Sequence, residues 1–523
     1  MSLNSIGPIE LPERPSISPA SQSSVLDESQ MTTTPIPAGS LDRSMARAVG
    51  WNAAAKWSSQ VLSWTSTILV ARLLTPYDYG LVGMAGLFLS LATLIGQVGI
   101  ADAVIALRDL TRRQIAELNT VALLLGLGLV GLSWALALPL ARFFSAPPLR
   151  AVIMIMSGTY LINAFQVVPR ALLSKELRFK LIASIDMARS LSQIVATLLF
   201  AWLKFRYWSL VVGYIVGCLS ASILTAYWKR YEFAIPNIAQ LRRELKFARR
   251  VLLSGVAWYA YDNADFGVAG RVLGGTALGD YTVAWTIASA PVEKIANLVT
   301  GVTPAYFSAV QTDKAELRRY LLRLTEILSF VTLPASFGLA LVADYLVLAL
   351  LGTKWVGVIG PLCLLGVFVA GRSIATILPN LLTAIGDARF VMWATISSAI
   401  LMPIAFLIGS RWGTSGIAAA WVIAYPPVMV PMYYRVFQKT GMQLQEYVSV
   451  LMPALSASAL MAVVVLFTRS MLPAGSRPLW CLLLLTAIGA LSYAGALLAF
   501  HRQRVTHMIR VIRSIRQREF VEI

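Results

Sequence analysis

From about residue 45 to about residue 500 the chain alternates apolar runs of about twenty residues with joins too short to hold a globular domain. Each run is long enough to carry a helix through a hydrocarbon core ~30 Å thick. Backbone in lipid must satisfy its own hydrogen bonds, so runs of this length cross as helices. A window of about 19 residues finds roughly fourteen of them. They fall near 48–71, 79–101, 118–140, 150–171, 181–203 and 207–228, then 251–272, 281–304, 322–351, 358–385, 389–410 and 413–435, with 447–469 and 478–500 at the end. The expected fold class is an all-α polytopic membrane protein with about 14 transmembrane helices. Its work is done within the bilayer, and translocation is the leading inference.

A net charge of +19 would point to nucleic acid in a soluble protein. Here the basic residues cluster at every second join: Arg108, Arg112 and Arg113; Arg170, Lys175, Arg178 and Lys180; Lys229 to Arg250; Lys314 to Arg323; Arg435 and Lys439; and the tail from Arg502 to Arg518. The alternation follows the positive-inside rule, so both termini are expected in the cytoplasm and no nucleic-acid partner is expected. Cys218, Cys363 and Cys481 sit in apolar runs and form no disulfide or metal framework. His501 and His507 are the only histidines, which argues against metal or histidine catalysis, and no cofactor is expected.

The expected organisation is a disordered cytoplasmic tail at 1–44, rich in Ser, Pro and Thr, and an N-lobe of six helices at 45–228. A basic cytoplasmic connector at 229–250 leads to a C-lobe of helices 7–12 at 251–440. Helices 13–14 at 441–500 and a basic cytoplasmic tail at 501–523 complete the chain. The two lobes carry echoes of each other. Arg72-Leu73-Leu74 leading to Gly80 matches Arg271-Val272-Leu273 leading to Gly279, and Val168-Pro169-Arg170 matches Leu378-Pro379-Asn380. Duplication of a six-helix unit gives copies of one orientation, related by a pseudo-twofold axis along the membrane normal.

Ionisable groups at membrane depth are costly and mark cavities or partners. In the first span Asn52, Lys56, Gln60, Ser63 and Thr67 share one helical face. Asp262 and Asp265 lie three apart in the seventh span, as expected for an ion-coupling pair or for carboxylates neutralised by Arg271 or Lys294. Glu293 and Lys294 lie deep in the eighth span. Asp186 and Arg189 in the fifth are expected to neutralise each other. Arg372 is deep in the tenth span with no acid on its own helix. Its planar guanidinium matches phosphate oxygens, which makes it the preferred anion-binding residue. Lys56, Gln60, Lys294 and Arg372 are thus the expected substrate-binding residues, and Asp262, Asp265, Arg271 and Glu293 the expected coupling or charge-pair group.

Three stretches then become specific. Ala71 to Val82 with Gln97 to Ile105, Asn263 to Tyr281, and Leu351-Gly352-Thr353-Lys354-Trp355 together resemble the bacterial polysaccharide transporters. These are the oligosaccharide-lipid flippases of the multidrug/oligosaccharidyl-lipid/polysaccharide exporter superfamily. The resemblance implies a two-lobed, MATE-like helical fold with a central cavity and alternating access. It implies no enzyme, but a flippase for undecaprenyl-diphosphate-linked oligosaccharide in the bacterial inner membrane, serving exopolysaccharide or lipopolysaccharide synthesis. A polysaccharide polymerase and a chain-length regulator would be its partners besides the lipid bilayer. A cation-coupled multidrug exporter, a peptidoglycan-precursor flippase and a membrane polysaccharide polymerase are the alternatives. Removing the charge of Arg372 is expected to abolish transport at unchanged protein level.

Overall fold

In a computed structural model of the protein, the described residues are 66–94, 99–106, 110–176, 178–229, 232–236, 255–256, 258–311, 313–473, 475–504 and 506. Every regular element among them is helical. The first half holds α1 (66–73), α2 (Pro76–Thr93), α3 (Gly99–Ala106), α4 (Arg112–Phe143), α5 (Leu149–Ser157), α6 (Thr159–Lys175), α7 (Phe179–Trp202) and α8 (Tyr207–Trp228). The second half holds α9 (258–268), α10 (Gly275–Ala309), α11 (Lys314–Leu341), α12 (Ala343–Leu346), α13 (Ile359–Ala375), α14 (Ile377–Ala384), α15 (Ala388–Gly409) and α16 (Gly413–Thr440). Last come α17 (Leu444–Ser470) and α18 (Pro478–Phe500).

Nine stretches among the described residues are long and apolar enough to cross a membrane; one of them, Ala388–Thr440, comprises the two helices α15 and α16. Their outward faces carry large apolar side chains in the open, such as Ile223, Val463 and Leu491. Water would not tolerate so much contiguous apolar surface, and lipid would. Most expected spans coincide with these helices to within a few residues. The run expected at 322–351 does not continue unbroken. It stops at Val342, resumes as α12, and ends in a π-helical turn, Val347–Leu351, closed by Gly352 at φ +95°.

Helix starts are written in short polar signals. Thr75 caps α2 in a reciprocal box with Asp78, and Pro76 supplies the first helical φ. Asp78 is buried and also accepts the Tyr207 N–H at 3.1 Å, so one carboxylate ties the start of α2 to the start of α8. Thr111 and Gln114 cap α4 the same way. Beyond α8, residues 232–236 lie along the start of α4, where Asn119 and Thr120 donate to the Glu232 and Ala234 carbonyls. Hydrogen bonding from Arg112 holds the Glu232 carboxyl below the usual carboxylate range.

The two halves meet most tightly at the ends of the helices opposite the basic clusters. There α2 and α10 cross almost backbone to backbone. A Cβ on Gly80 would lie 1.7 Å from the Gly275 carbonyl oxygen, and one on Gly279 would lie 1.8 Å from that of Pro76. Only glycine permits this approach. Around the crossing, Arg72 donates to the Leu350 and Ala349 carbonyls, both at 2.6 Å, which are among the last carbonyls of the π-helical turn. The Trp355 indole donates to the Ala71 carbonyl at 2.8 Å, and its ring meets Tyr79 edge-on. From the other half, Arg271 lies over Phe143 at 5.2 Å, and Phe144 packs on Gly270. Arg72 and Arg271, like Gly80 and Gly279, are 199 residues apart. The echo in the sequence is therefore a clasp in which each half grips the other with an equivalent arginine.

Candidate functional site

In the second half a polar cluster gathers around Arg372. This residue sits 13 residues from the start of α13 and 12 from the end of α14, the middle of one apolar run. Its guanidinium pairs with Asp262 of α9. It also lies over Trp285 of α10 at 5.3 Å and Trp421 of α16 at 5.9 Å. Four helices thus converge on one cation. Charge and two aromatic faces compensate its removal from water. The compensation is incomplete, because Nη1 is buried without a hydrogen-bond partner. That donor remains unsatisfied among the described residues.

Asp265 is fully buried one turn further along α9. Its Oδ2 accepts the Tyr281 hydroxyl at 2.7 Å and the Trp421 indole at 2.9 Å, while its Oδ1 accepts the Phe266 N–H at 2.9 Å. A buried carboxylate needs such donors, since an unsatisfied one costs several kcal/mol, ~1–3 for a neutral group and more for a charge. Trp421 links the two acids: one edge donates to Asp265, and the ring supports Arg372. Phe368 stacks on Trp421 at 4.6 Å, which fixes the indole in place.

The structure therefore brings Asp262, Asp265 and Arg372 together and corrects two pairings expected from sequence. The partner of Asp262 is Arg372, not Arg271. Helical periodicity reports only same-helix neighbours, and this pair spans 110 residues. Arg271 is exposed in the π-helical turn Ala269–Leu273, at the clasp rather than beside the acids. Asp186 pairs with Arg170 at 2.7 Å instead of Arg189, which leaves Arg189 over the Tyr214 ring at 5.9 Å. One consequence changes an expectation. Removing Arg372 would strand Asp262 at low dielectric, so protein level should fall with transport.

Lys56 and Gln60, with Asn52 and Ser63, lie outside the described residues. Glu293 and Lys294 lie on the helical backbone of α10, with side chains outside the described set. Sequence reading overlooked Tyr281, Trp285 and Trp421. Tyrosine and tryptophan deep in apolar runs are themselves a signal, because a buried O–H or N–H needs a partner. Among the described residues no group of three His, Cys, Asp or Glu is placed to hold a metal ion. A groove of about 510 Å³ runs between α11, α17 and α18, lined by apolar groups such as Phe330, Pro334, Met461 and Leu485.

Comparisons with known proteins agree on what frames this cluster. The family described as "Polysaccharide biosynthesis protein" matches residues 69–360, more than half of the chain. The succinoglycan biosynthesis transport protein ExoT of Rhizobium meliloti (strain 1021) is 25% identical over 497 residues, 91% of this chain and 97% of that one. The lipopolysaccharide biosynthesis protein WzxC of Escherichia coli (strain K12) is 25% identical over 391 residues, 71% of this chain and 77% of that one. Among solved structures, the lipid II flippase MurJ in an inward closed conformation superposes with a TM-score of 0.72 at 16% identity. That superposition covers 87% of this chain and 99% of MurJ, and it shows a shared fold. The chain belongs to the polysaccharide biosynthesis protein family and shares its helical fold with MurJ.

Proposed function

We propose that this protein is a flippase that carries undecaprenyl-diphosphate-linked oligosaccharide repeat units from the cytoplasmic to the outer face of the bacterial inner membrane. The observation that carries the reading is similarity along nearly the whole length of a succinoglycan biosynthesis transport protein. The site supplies a chemical reason. A diphosphate crossing lipid needs donors at mid-depth, and the unpartnered Nη1 of Arg372 is such a donor. Lys56, Gln60 and Lys294 are proposed as further substrate-binding residues. The apolar groove between α11, α17 and α18 suits a polyprenyl chain, so the lipid tail need never enter water.

Both termini are proposed to be cytoplasmic, from the basic clusters, which places the clasp at the outer face. Transport then requires the clasp to open while the cytoplasmic side closes. When Arg372 turns to a phosphate, Asp262 loses its partner. Uptake of a proton or sodium ion by Asp262 would neutralise it, which is the proposed coupling step; Asp265, tied to Tyr281 and Trp421, holds α9 and α16 in register. A polymerase and a chain-length regulator would act on the delivered repeat units.

Cells lacking the protein should lose surface polysaccharide and accumulate lipid-linked repeat units on the cytoplasmic leaflet, scored by protection from an external glycosidase. Accumulation on the outer leaflet would instead identify polymerisation. Unchanged polysaccharide with a loss of resistance to cationic drugs would move the protein to the drug exporters.

A further inference from the structure

A second polar pocket lies in the first half, among α2, α3, α6, α7 and α8. Its volume is about 410 Å³, within the range for small-ligand sites, and it is lined by Asn163, Gln166, Arg170, Ser174, Arg189 and Tyr214 among others. Neither of the two preceding readings uses it. We propose that this pocket binds an oxyanion borne next to hydroxyl groups, that is, the phosphorylated or carboxylated end of a saccharide.

Three observations carry the proposal. Arg189 has no carboxylate within ion-pair reach among the described residues; its contacts are the Tyr214 ring and, at 3.6 Å, the Cys218 sulfur. Arg170 is neutralised by Asp186, so among the described side chains Arg189 is the pocket's cation without a carboxylate. Gln166 is only 7% exposed, donates to Asn163, and has its Oε1 buried with no donor. An orphaned acceptor in a pocket is satisfied by a ligand hydroxyl, and an uncompensated guanidinium by a ligand anion. A sugar acid or sugar phosphate presents both.

The position within the fold supports the same conclusion. Tyr214 lies seven residues into α8, and Trp421 lies eight residues into α16, its counterpart in the second half. Each aromatic ring carries an arginine, Arg189 on one and Arg372 on the other. The arginines come from different helices, α7 and α13, so only the aromatic platforms correspond. Among the described residues Arg372 is paired with Asp262, whereas Arg189 faces no carboxylate.

The ligand class rests on the flippase reading; the pocket does not. The test is titration calorimetry on the full chain in neutral-lipid nanodiscs. The probes are geranyl diphosphate, methyl glucuronide and, as a neutral control, methyl glucoside. Binding of at least one anionic probe, weakened tenfold or more by Arg189→Gln and partly kept by Arg189→Lys, is the expected result. If the diphosphate is the probe affected, the carrier phosphate is the ligand; if the glucuronide, an acidic sugar is. Failure of both anions to bind, binding indifferent to Arg189→Gln in protein of normal Tm, or equal binding of the glucoside would overturn the proposal. Transport of a lipid-linked repeat unit by the same preparation separates the two claims. Transport without Arg189-dependent binding removes the pocket and leaves the flippase; binding without transport does the reverse.

Discussion

Replacing Arg372 by alanine should reduce polysaccharide export by on the order of a hundredfold or more and lower the amount of folded protein as well. The two losses have different origins. Export falls because the donor at mid-depth is gone. Protein level falls because Asp262, itself mostly buried, is left without its cation; stranding one partner of a buried pair costs ~3–5 kcal/mol. The double variant Arg372→Ala/Asp262→Asn should separate them, since it removes the stranded charge. Its protein level should return close to wild type while export stays lost. Export that recovers together with protein level would reduce Arg372 to a structural cation. Arg372→Lys should recover level better than export, since an ammonium keeps the charge but loses the fork.

Valine at Gly279 should open the clasp. A side chain there meets the Pro76 carbonyl, and backbone cannot swing aside as a flexible side chain can. Overpacking a close contact costs typically ~1–3 kcal/mol, and a backbone clash stands at the upper end. A penalty of about 3 kcal/mol shifts the balance between clasped and open arrangements by on the order of a hundredfold. The readout is modification of Ala71→Cys, a small side chain buried at the clasp, by a membrane-impermeant thiol reagent added outside, with Cys218, Cys363 and Cys481 replaced by alanine. Labelling should rise many-fold in Gly279→Val, and likewise in Gly80→Val. Labelling equal to the parent in both would mean that the crossing does not seal that face.

How much of this was legible in the sequence divides by the range of the interaction. Apolar runs fixed the helices closely, as at 207–228 and 478–500, because hydrophobicity and length act within one segment. The Arg72–Gly80 and Arg271–Gly279 echo was readable, but not that the two glycines face each other; repetition reveals kinship, not contact. The break at Val342 was hidden, because α11 and α12 share one apolar run and the interruption is conformational. Site residues followed the same rule. Depth in an apolar run singled out Asp262, Asp265 and Arg372, which the structure brings together. Partners were misassigned wherever they came from another helix, as with Arg372 and Asp262 or Arg170 and Asp186. Periodicity orders neighbours along a helix, while pairing across helices is decided by packing.

The claim that this protein flips a lipid-linked saccharide is tested most directly in proteoliposomes. Purified full-length protein is reconstituted with a fluorescent undecaprenyl-diphosphate oligosaccharide, and translocation is scored by access of an external quencher. Protein-dependent exchange between leaflets, absent from empty liposomes and lost in Arg372→Ala/Asp262→Asn, is the predicted result. No exchange with any of several glycans, alongside uptake of a cationic dye against a proton or sodium gradient, would contradict it.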